Sequence, residues 1–225
     1  MPDEGNQFPV FIYFHGGGIE SGDKKFETKM CKTVTGNNIA VVCANYRLYK
    51  SAKYPEFLLD CASAVAWTKN NIGEYFSPTA LYVGGSSAGG YISMMLCFDN
   101  RFLHNYGVEV SDISGFVHDA GQPTCHFNVL RERGIDSRRV IVDESAPLFH
   151  INAEDKYPPM LIIVSDKDME NRYEQTMLLA STLRHFGHKD FELKVMNGTH
   201  CHYVYKNEDN GDNVFAKLIL EFIKR

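Results

Sequence analysis

The sequence lacks long apolar runs, and none approaches the roughly 20 residues that a membrane-spanning helix needs. It also lacks an excess of positive charge, because 23 Lys and Arg stand against 28 Asp and Glu and give a net charge of −5. Surfaces that bind phosphates are usually basic, so nucleic acid is not expected as a partner. The first seven residues are acidic and polar, unlike the basic and then apolar start of a secretory signal. We therefore expect neither a membrane nor a nucleic-acid partner.

The six cysteines include no CxxC pair, which argues against a zinc ribbon and a redox motif. Most of them lie in apolar stretches, where a free cysteine behaves as a small hydrophobic residue. This usage predicts reduced thiols and a cytoplasmic location. The segment His200-Cys201-His202 has no second ligand motif elsewhere in the chain, so no metal is expected.

What the sequence does contain is ordinary globular composition, with 44% apolar and 23% charged residues over 225 positions. That length predicts one domain spanning 1–225. Six short runs are continuously apolar rather than alternating, which is typical of parallel strands covered on both faces. The predicted strands are Pro9–Phe14, Ile39–Asn45, Ala80–Val83, Ile113–Val117, Met160–Val164 and Phe191–Val195.

Helical patterns separate these strands. Leu58, Ala62 and Val65 form one face that ends before Gly73, and Ser87–Phe98 follows a glycine-rich turn. A further apolar stripe comprises Tyr173, Met177, Ala180, Leu183 and Phe186. In the last predicted helix Asp212 is the expected cap, and Val214, Leu218 and Phe222 share a face. The alternation predicts an α/β fold with a mostly parallel central sheet and helices on both faces.

The segment 119–151 does not fit this alternation. It contains Gly121, Pro123 and Gly134 and a mixed charged run in its middle. A long irregular insert in a compact domain is usually a lid or a binding loop. We interpret it as a lid-like insert, in which Gln122, Cys125 and His126 either line the site or serve the loop structurally.

The strongest local signal is the run from Gly84 to Gly90. It joins a predicted strand to a predicted helix, and Gly85, Ser87 and Gly89 match G-x-S-x-G in that context. Small residues two positions before and after the serine let strand and helix approach closely. The serine then lies at a helix N-terminus, which favours a developing negative charge. Ser87 is the predicted nucleophile.

A second motif, His15-Gly16-Gly17-Gly18, follows the first predicted strand. Three glycines allow backbone N–H groups to turn toward a neighbouring site. Together with the N–H of Ala88, those of Gly16 and Gly17 are predicted to form an oxyanion hole for an acyl-transfer reaction. His15 is interpreted as a residue that positions the loop rather than as the base.

These motifs make the chain resemble the α/β-hydrolase superfamily, and specifically the carboxylesterases of the hormone-sensitive-lipase-like group. The resemblance extends from about Phe8 to Phe222 and includes Asn45-Tyr46-Arg47-Leu48, which resembles the family's D-Y-R-L segment. Two departures are Asn45 and Ser86, where the family often has Asp. The resemblance implies the chain order Ser, acid, His.

For the acid, Asp166 and Asp168 both follow the fifth predicted strand, and the family pattern selects Asp168 with Asp166 as the alternative. For the histidine, the resemblance selects His200 on the loop after the last strand, with His202 as the alternative. The implied activity is hydrolysis of small polar carboxylic esters through Ser87, His200 and Asp168, without a cofactor. Acetyl or feruloyl esters of sugars are candidate substrates by analogy. A peptidase or amidase, and a catalytically silent binding protein, are the alternatives.

In this family two further strands normally precede the HGGG strand, but only about eight residues do so here. The fold is therefore expected to lack those first two strands. The strand Ile39–Asn45 would then be an exposed edge, which is prone to pair with another chain. We predict either a homo-oligomer through that edge or a sequence without its natural N-terminal part.

Overall fold

A computed structural model describes residues 1–2 and 5–225. Its centre is a six-stranded sheet in the order β2-β1-β3-β4-β5-β6, and every neighbouring pair of strands is parallel. The strands are β1 Gln7–Phe14, β2 Ala40–Ala44, β3 Ser77–Ser86, β4 Gly115–Asp119, β5 Met160–Lys167 and β6 Phe191–Thr199. The six apolar runs of the sequence therefore all form strands, and the predicted parallel sheet is confirmed.

Helices connect the strands, as crossover connections between parallel strands require. They are α1 Thr28–Thr35, α2 Glu56–Asn71, α3 Ala88–Phe98, α4 Arg101–His104, α5 Phe127–Glu132, α6 Pro147–His150, α7 Arg172–His185 and α8 Val214–Ile223. None of these helices is both long and apolar enough to cross a membrane.

Strand β1 shows why its sequence is continuously apolar. Val10, Ile12 and Phe14 belong to the core cluster that includes residues of α2, α3 and α7. Phe11 and Tyr13 belong to a second cluster, which includes residues of α1 and α8. Successive strand residues point to opposite faces, so each face of the sheet has its own helix layer, as predicted.

The buried face of α7 differs from the predicted apolar stripe. Leu183 and Ala180 are buried, but Tyr173 and Met177 are only half-buried and Phe186 is exposed. The residues that α7 buries are Arg172, Gln175, Thr176, Leu179, Ala180 and Leu183. The prediction of this face was wrong because polar side chains occupy part of the inward surface.

Helix α8 also begins differently from the prediction. Asn213, not Asp212, is the N-cap, and its side-chain oxygen accepts a hydrogen bond from the Ala216 amide at 2.9 Å. The buried face is made by Phe215 and Ile219 together with the predicted Phe222. The predicted Val214 and Leu218 are only half-buried.

The irregular segment 119–151 consists of two different parts. Asp119 is the last residue of β4, and residues 120–130 are buried except for Phe127, which is half-buried. The more exposed stretch runs from 131 to 144. The first part is therefore packed into the domain, and only the second has the exposure expected of a lid.

Strand β2 lies at one end of the sheet, next to β1, as the sequence predicts. Within the described residues its outer side pairs with no other strand. Val41 to Ala44 are half-buried. Pairing of this edge with a second chain stays a prediction.

Candidate active site

Ser87 stands at a sharp turn between β3, which ends at Ser86, and α3, which begins at Ala88. Its backbone has φ 56° and ψ −113°, a conformation that a non-glycine residue rarely adopts. The Ser87 amide donates to the Asp119 carbonyl at 2.8 Å, and the Ser87 carbonyl accepts from the Tyr91 amide at 3.0 Å. Strand β4 and helix α3 thus hold the strained residue from both sides.

The glycines around Ser87 are required by close backbone packing. A Cβ atom on Gly89 would lie 1.9 Å from the Phe14 carbonyl oxygen. A Cβ atom on Gly85 would lie 2.5 Å from the same oxygen. The end of β1 therefore contacts both flanks of the turn, which is the physical reason for the G-x-S-x-G pattern here.

His200 links the serine to a carboxylate. Its Nε2 lies 2.8 Å from Ser87 Oγ, and its Nδ1 lies 2.5 Å from Asp168 Oδ1. A carboxylate can only accept, so Nδ1 carries a proton and Nε2 of the neutral ring is free to accept from the serine hydroxyl. The structure brings together the three residues that the sequence selects for nucleophile, base and acid.

Asp168 is held as an anion. Its side chain is fully buried, and burial alone would raise its pKa. The hydrogen bond from His200 and those from the Met169 and Ser165 amides outweigh burial and hold the pKa of Asp168 below its usual value. An ionised Asp168 fixes the tautomer of His200 and stabilises its protonated form.

The two alternative residues lie elsewhere. Asp166 is exposed, and its carboxylate accepts from the Gly198 amide at 2.7 Å. His202 Nδ1 lies 3.0 Å from the Thr199 carbonyl, and its ring packs on Gly198. Both side chains support the turn before His200, and neither forms a hydrogen bond with Ser87 in the structure.

The amides of Gly16 and Gly17 are oriented by two neighbouring side chains. Tyr46 donates its hydroxyl to the His15 carbonyl at 2.8 Å, and His15 Nδ1 donates to the Gly16 carbonyl at 2.8 Å. In a trans peptide the N–H of the next residue points opposite to the carbonyl. The N–H groups of Gly16 and Gly17 therefore point away from Tyr46 and the His15 ring. The ring of Tyr46 stacks on His15, with centroids 4.4 Å apart.

The predicted oxyanion donors border one cleft. Gly16 and Gly17 line this cleft together with Ser87 and His200, and a Cβ on Gly16 would lie 3.3 Å from that of Ser87. Ala88 is the first residue of α3, so no residue of that helix accepts from its N–H. The remaining lining residues are Gly18, Glu20, Ser86, Phe127, Met169, Cys201 and Tyr205.

The insert contributes to the cleft through Phe127, which the sequence did not single out. Gln122 lines a neighbouring cavity rather than this cleft. Cys125 is buried in a small cluster with Leu130, and His126 is the N-cap of α5. Cys125 and His126 therefore serve the structure of the loop, and neither of them lines the cleft.

A buried carboxylate, Asp119, lies behind the site. It accepts a hydrogen bond from the Tyr203 hydroxyl, and Cys201 Sγ lies 3.9 Å from it. Burial raises the pKa of Asp119 to about 6, against the effect of the hydrogen bond from Tyr203. Sequence reasoning missed the roles of Asp119 and Tyr46, since both depend on contacts between residues more than thirty positions apart.

No group of three or more potential metal-ligating side chains occurs among the residues that the structure describes. His200 and His202 each bind other partners, so the HCH segment does not form such a group.

Residues 1–130 match the family model BD-FAE, which is more than half of the 225 residues. The chain belongs to the BD-FAE family. The match covers the Gly16–Gly18 turn and Ser87 but ends before Asp168 and His200.

Curated relatives of this BD-FAE chain include ester hydrolases. LipN, a carboxylic ester hydrolase of Mycobacterium tuberculosis, is 31% identical over 99 residues, which cover 43% of this chain and 26% of LipN. Carboxylesterase NlhH of the same species is 32% identical over 93 residues, which cover 40% of this chain and 29% of NlhH. The matched segment thus spans less than a third of these relatives. These similarities support the predicted resemblance to the hormone-sensitive-lipase-like carboxylesterases.

Solved structures show the same fold over the whole chain. The esterase of Pyrobaculum calidifontis aligns with a TM-score of 0.79 at 19% identity, covering 99% of this chain and 78% of that one. Esterase Est2 of Thermogutta terrifontis, with propionate bound, aligns with a TM-score of 0.76 at 21% identity, covering 99% and 86%. The predicted α/β-hydrolase fold is confirmed.

Proposed function

We propose that this protein is a serine esterase that hydrolyses small, polar carboxylic esters through an acyl-enzyme. The observation that carries the proposal is the unbroken line of hydrogen bonds from Ser87 through His200 to Asp168. This line begins at a strained turn that presents the serine to a cleft lined by Gly16 and Gly17. That constellation is suited to acyl transfer.

The proposed mechanism follows from the geometry. His200 Nε2 takes the proton of Ser87 Oγ as the oxygen attacks the ester carbonyl, and then gives it to the leaving alcohol. The N–H groups of Gly16, Gly17 and Ala88 stabilise the negative charge on the carbonyl oxygen of the tetrahedral intermediate. A water molecule gives a proton to His200 as it attacks the acyl-enzyme, and His200 returns that proton to Ser87 Oγ when the acyl–oxygen bond breaks and the acid leaves. Each step uses groups of this chain and water, and no cofactor is proposed.

Two observations support a short acyl group. Est2 of Thermogutta terrifontis, which shares this fold, is described with propionate bound. Versiconal hemiacetal acetate esterase of Aspergillus parasiticus, which is 33% identical over 88 residues, is named for an acetate ester. Acetyl esters, including those of sugars, are therefore the first substrates to try, and feruloyl esters test the upper size limit.

The experiment is hydrolysis of p-nitrophenyl acetate by the wild type and by Ser87→Ala. We expect the variant to lose a factor of about 10⁴ or more in kcat, since the nucleophile and its hydrogen bond are removed together. The matched pair His200→Gln and His202→Gln tests the choice of base. The first should be as impaired as the serine variant, whereas the second should keep most of the activity.

Undiminished hydrolysis by Ser87→Ala would overturn the mechanism. Loss of activity in His202→Gln with retention in His200→Gln would exchange the two histidines. p-Nitroanilides of the same acyl groups distinguish an esterase from an amidase, and we expect the anilides to react far more slowly. A wild type that hydrolyses neither class of substrate would contradict the proposed function.

A further inference from the structure

A second cavity adjoins the proposed catalytic cleft. It shares two lining residues, Phe127 and Met169, with the cleft that contains Ser87. Met169 directly follows Asp168, so the second cavity begins next to the proposed acid. Its other lining residues are Gln122, Ser137, Arg138, Arg139, Glu170, Asn171, Arg172 and Gln175.

Arg172, at the start of α7, is the unusual residue in this cavity. It is only 5% exposed, yet no acidic side chain among the described residues forms an ion pair with it. Its guanidinium donates to two neutral acceptors, the Ala120 carbonyl and Gln122 Oε1, the latter at 3.4 Å. A buried cation is costly unless an anion or good acceptors compensate for lost water. Asp168 is the acidic side chain whose charge acts on Arg172, but the hydrogen bond of this carboxylate is with His200.

The described side chains that line the cavity carry more positive than negative charge. Arg138 is neutralised by its ion pair with Asp136 at 2.6 Å. Arg139 is exposed and forms no ion pair with a described residue. Glu170 is the single acidic side chain among the described residues that line the cavity. Among the described lining side chains that form no ion pair, two arginines therefore stand against one carboxylate, and Asp168 lies outside this lining with its hydrogen bond to His200.

The same cavity explains why α7 lacks the apolar face that its sequence predicts. Arg172 and Gln175 occupy inward positions on α7. Thr124, also buried, donates to Gln175 Oε1 at 3.0 Å and accepts from Gln122 at 3.2 Å. Polar side chains fixed in this way around a buried cation that forms no ion pair make a site suited to an anion.

We propose that this arginine-lined cavity binds a carboxylate carried by the substrate, so that the protein prefers esters whose acyl or alcohol part ends in a carboxylate. The inference rests on the proposed function, because it places this anion beside the serine that attacks the ester. Arg172 is the main ligand, and Arg139 adds long-range attraction. Both are specificity-determining residues rather than catalytic ones.

The test uses two pairs of esters that differ only by the charged end. Monomethyl glutarate and methyl pentanoate differ in the acyl part, and 4-acetoxybutanoate and butyl acetate differ in the alcohol part. For at least one pair we expect the wild type to favour the anionic ester about tenfold or more in kcat/KM, the effect of one hydrogen-bonded charge pair. The pair that shows the preference identifies the part of the substrate that enters the cavity.

The ratio of the two kcat/KM values is compared among variants, because loss of folded protein cancels in a ratio. Arg172→Gln should reduce the preference about tenfold, and the exposed Arg139→Gln should reduce it severalfold. Arg184→Gln removes an exposed arginine near the other end of α7 and should leave the ratio unchanged. If Arg172→Gln does not fold, Arg139→Gln and the loss of preference at high salt still decide the question.

Equal kcat/KM values within both ester pairs, or a preference that Arg139→Gln and Arg172→Gln do not reduce, would overturn the inference while leaving the esterase proposal intact. If the wild type hydrolyses no ester at all, the proposed function fails, and calorimetric titration with glutarate then decides the inference alone. Binding of glutarate that weakens in Arg139→Gln supports the anion site. Absence of glutarate binding in the wild type refutes it.

Discussion

Gly89→Ala is the glycine substitution whose added methyl group would lie closest to another atom of the protein. The new Cβ would lie 1.9 Å from the Phe14 carbonyl oxygen, about 1.4 Å closer than a close C···O contact of about 3.3 Å allows. Overpacking of this kind costs about 1–3 kcal/mol, and contact with rigid backbone favours the upper end. Because Gly89 lies in α3, the higher helix propensity of alanine offsets up to about 1 kcal/mol of this destabilisation.

The net loss in unfolding free energy should thus be about 2 kcal/mol, measured by denaturant unfolding. The kcat should also fall by about 10²–10³, the cost of losing one oxyanion donor. The reason is that β1 leads directly into the Gly16 and Gly17 amides, so a shift of Phe14 displaces them. Gly73→Ala is the matched control. Its Cβ would have no atom within 4 Å, so stability should be unchanged or rise by up to about 1 kcal/mol. Gly89→Ala with the stability and kcat of the Gly73 variant would refute the close packing of β1 against the turn.

Three further results are expected. Asp168→Asn should reduce kcat for p-nitrophenyl acetate by about 10⁴, whereas Asp166→Asn should reduce it less than tenfold; the reverse order would make Asp166 the acid. Because burial raises the pKa of Asp119 to about 6, the protonated carboxyl stabilises the folded state at low pH. As the pH rises from 4 to 6, the wild type should therefore lose about 2 kcal/mol of stability relative to Asp119→Asn, and parallel pH–stability curves would contradict that burial effect. Cys31 Sγ and Cys43 Sγ lie 3.5 Å apart, so the oxidant diamide should link this pair of cysteines into a disulfide before any other pair. Peptide mass spectrometry identifies the linked pair, and a different first disulfide would contradict the placement of α1 against β2.

Local motifs were predictable from the sequence, because their chemistry depends on neighbours along the chain. The turn around Ser87 and the glycines after His15 both lie at the ends of short apolar runs, and both line the cleft. The pairing of Asp168 with His200 came from family resemblance, since nothing local distinguishes these residues from Asp166 and His202.

Long-range contacts and buried polar groups were not predictable in this way. Arg172 and Gln175 are buried on α7 because they line a cavity. A prediction based on the spacing of apolar residues assigns only apolar side chains to the buried face of a helix. The contact of Tyr46 with His15 joins the loop after β2 to the end of β1 and leaves no trace in either segment alone. The cap of α8 is Asn213 rather than the predicted Asp212. The sequence could not distinguish these two adjacent residues, because Asn and Asp are equally good N-caps.

The order of the strands has a consequence for how the protein loses activity. Ser87, the proposed nucleophile, follows β3 near the middle of the sheet, whereas His200, the proposed base, follows β6, an edge strand whose residues are half-buried or exposed. Edge elements open more readily than central ones. Gentle heating should therefore detach His200 from Ser87 while most of the sheet is still folded, so that inactivation precedes melting and reverses on cooling. Thermal tolerance of catalysis in this protein is then a property of its last strand rather than of its core.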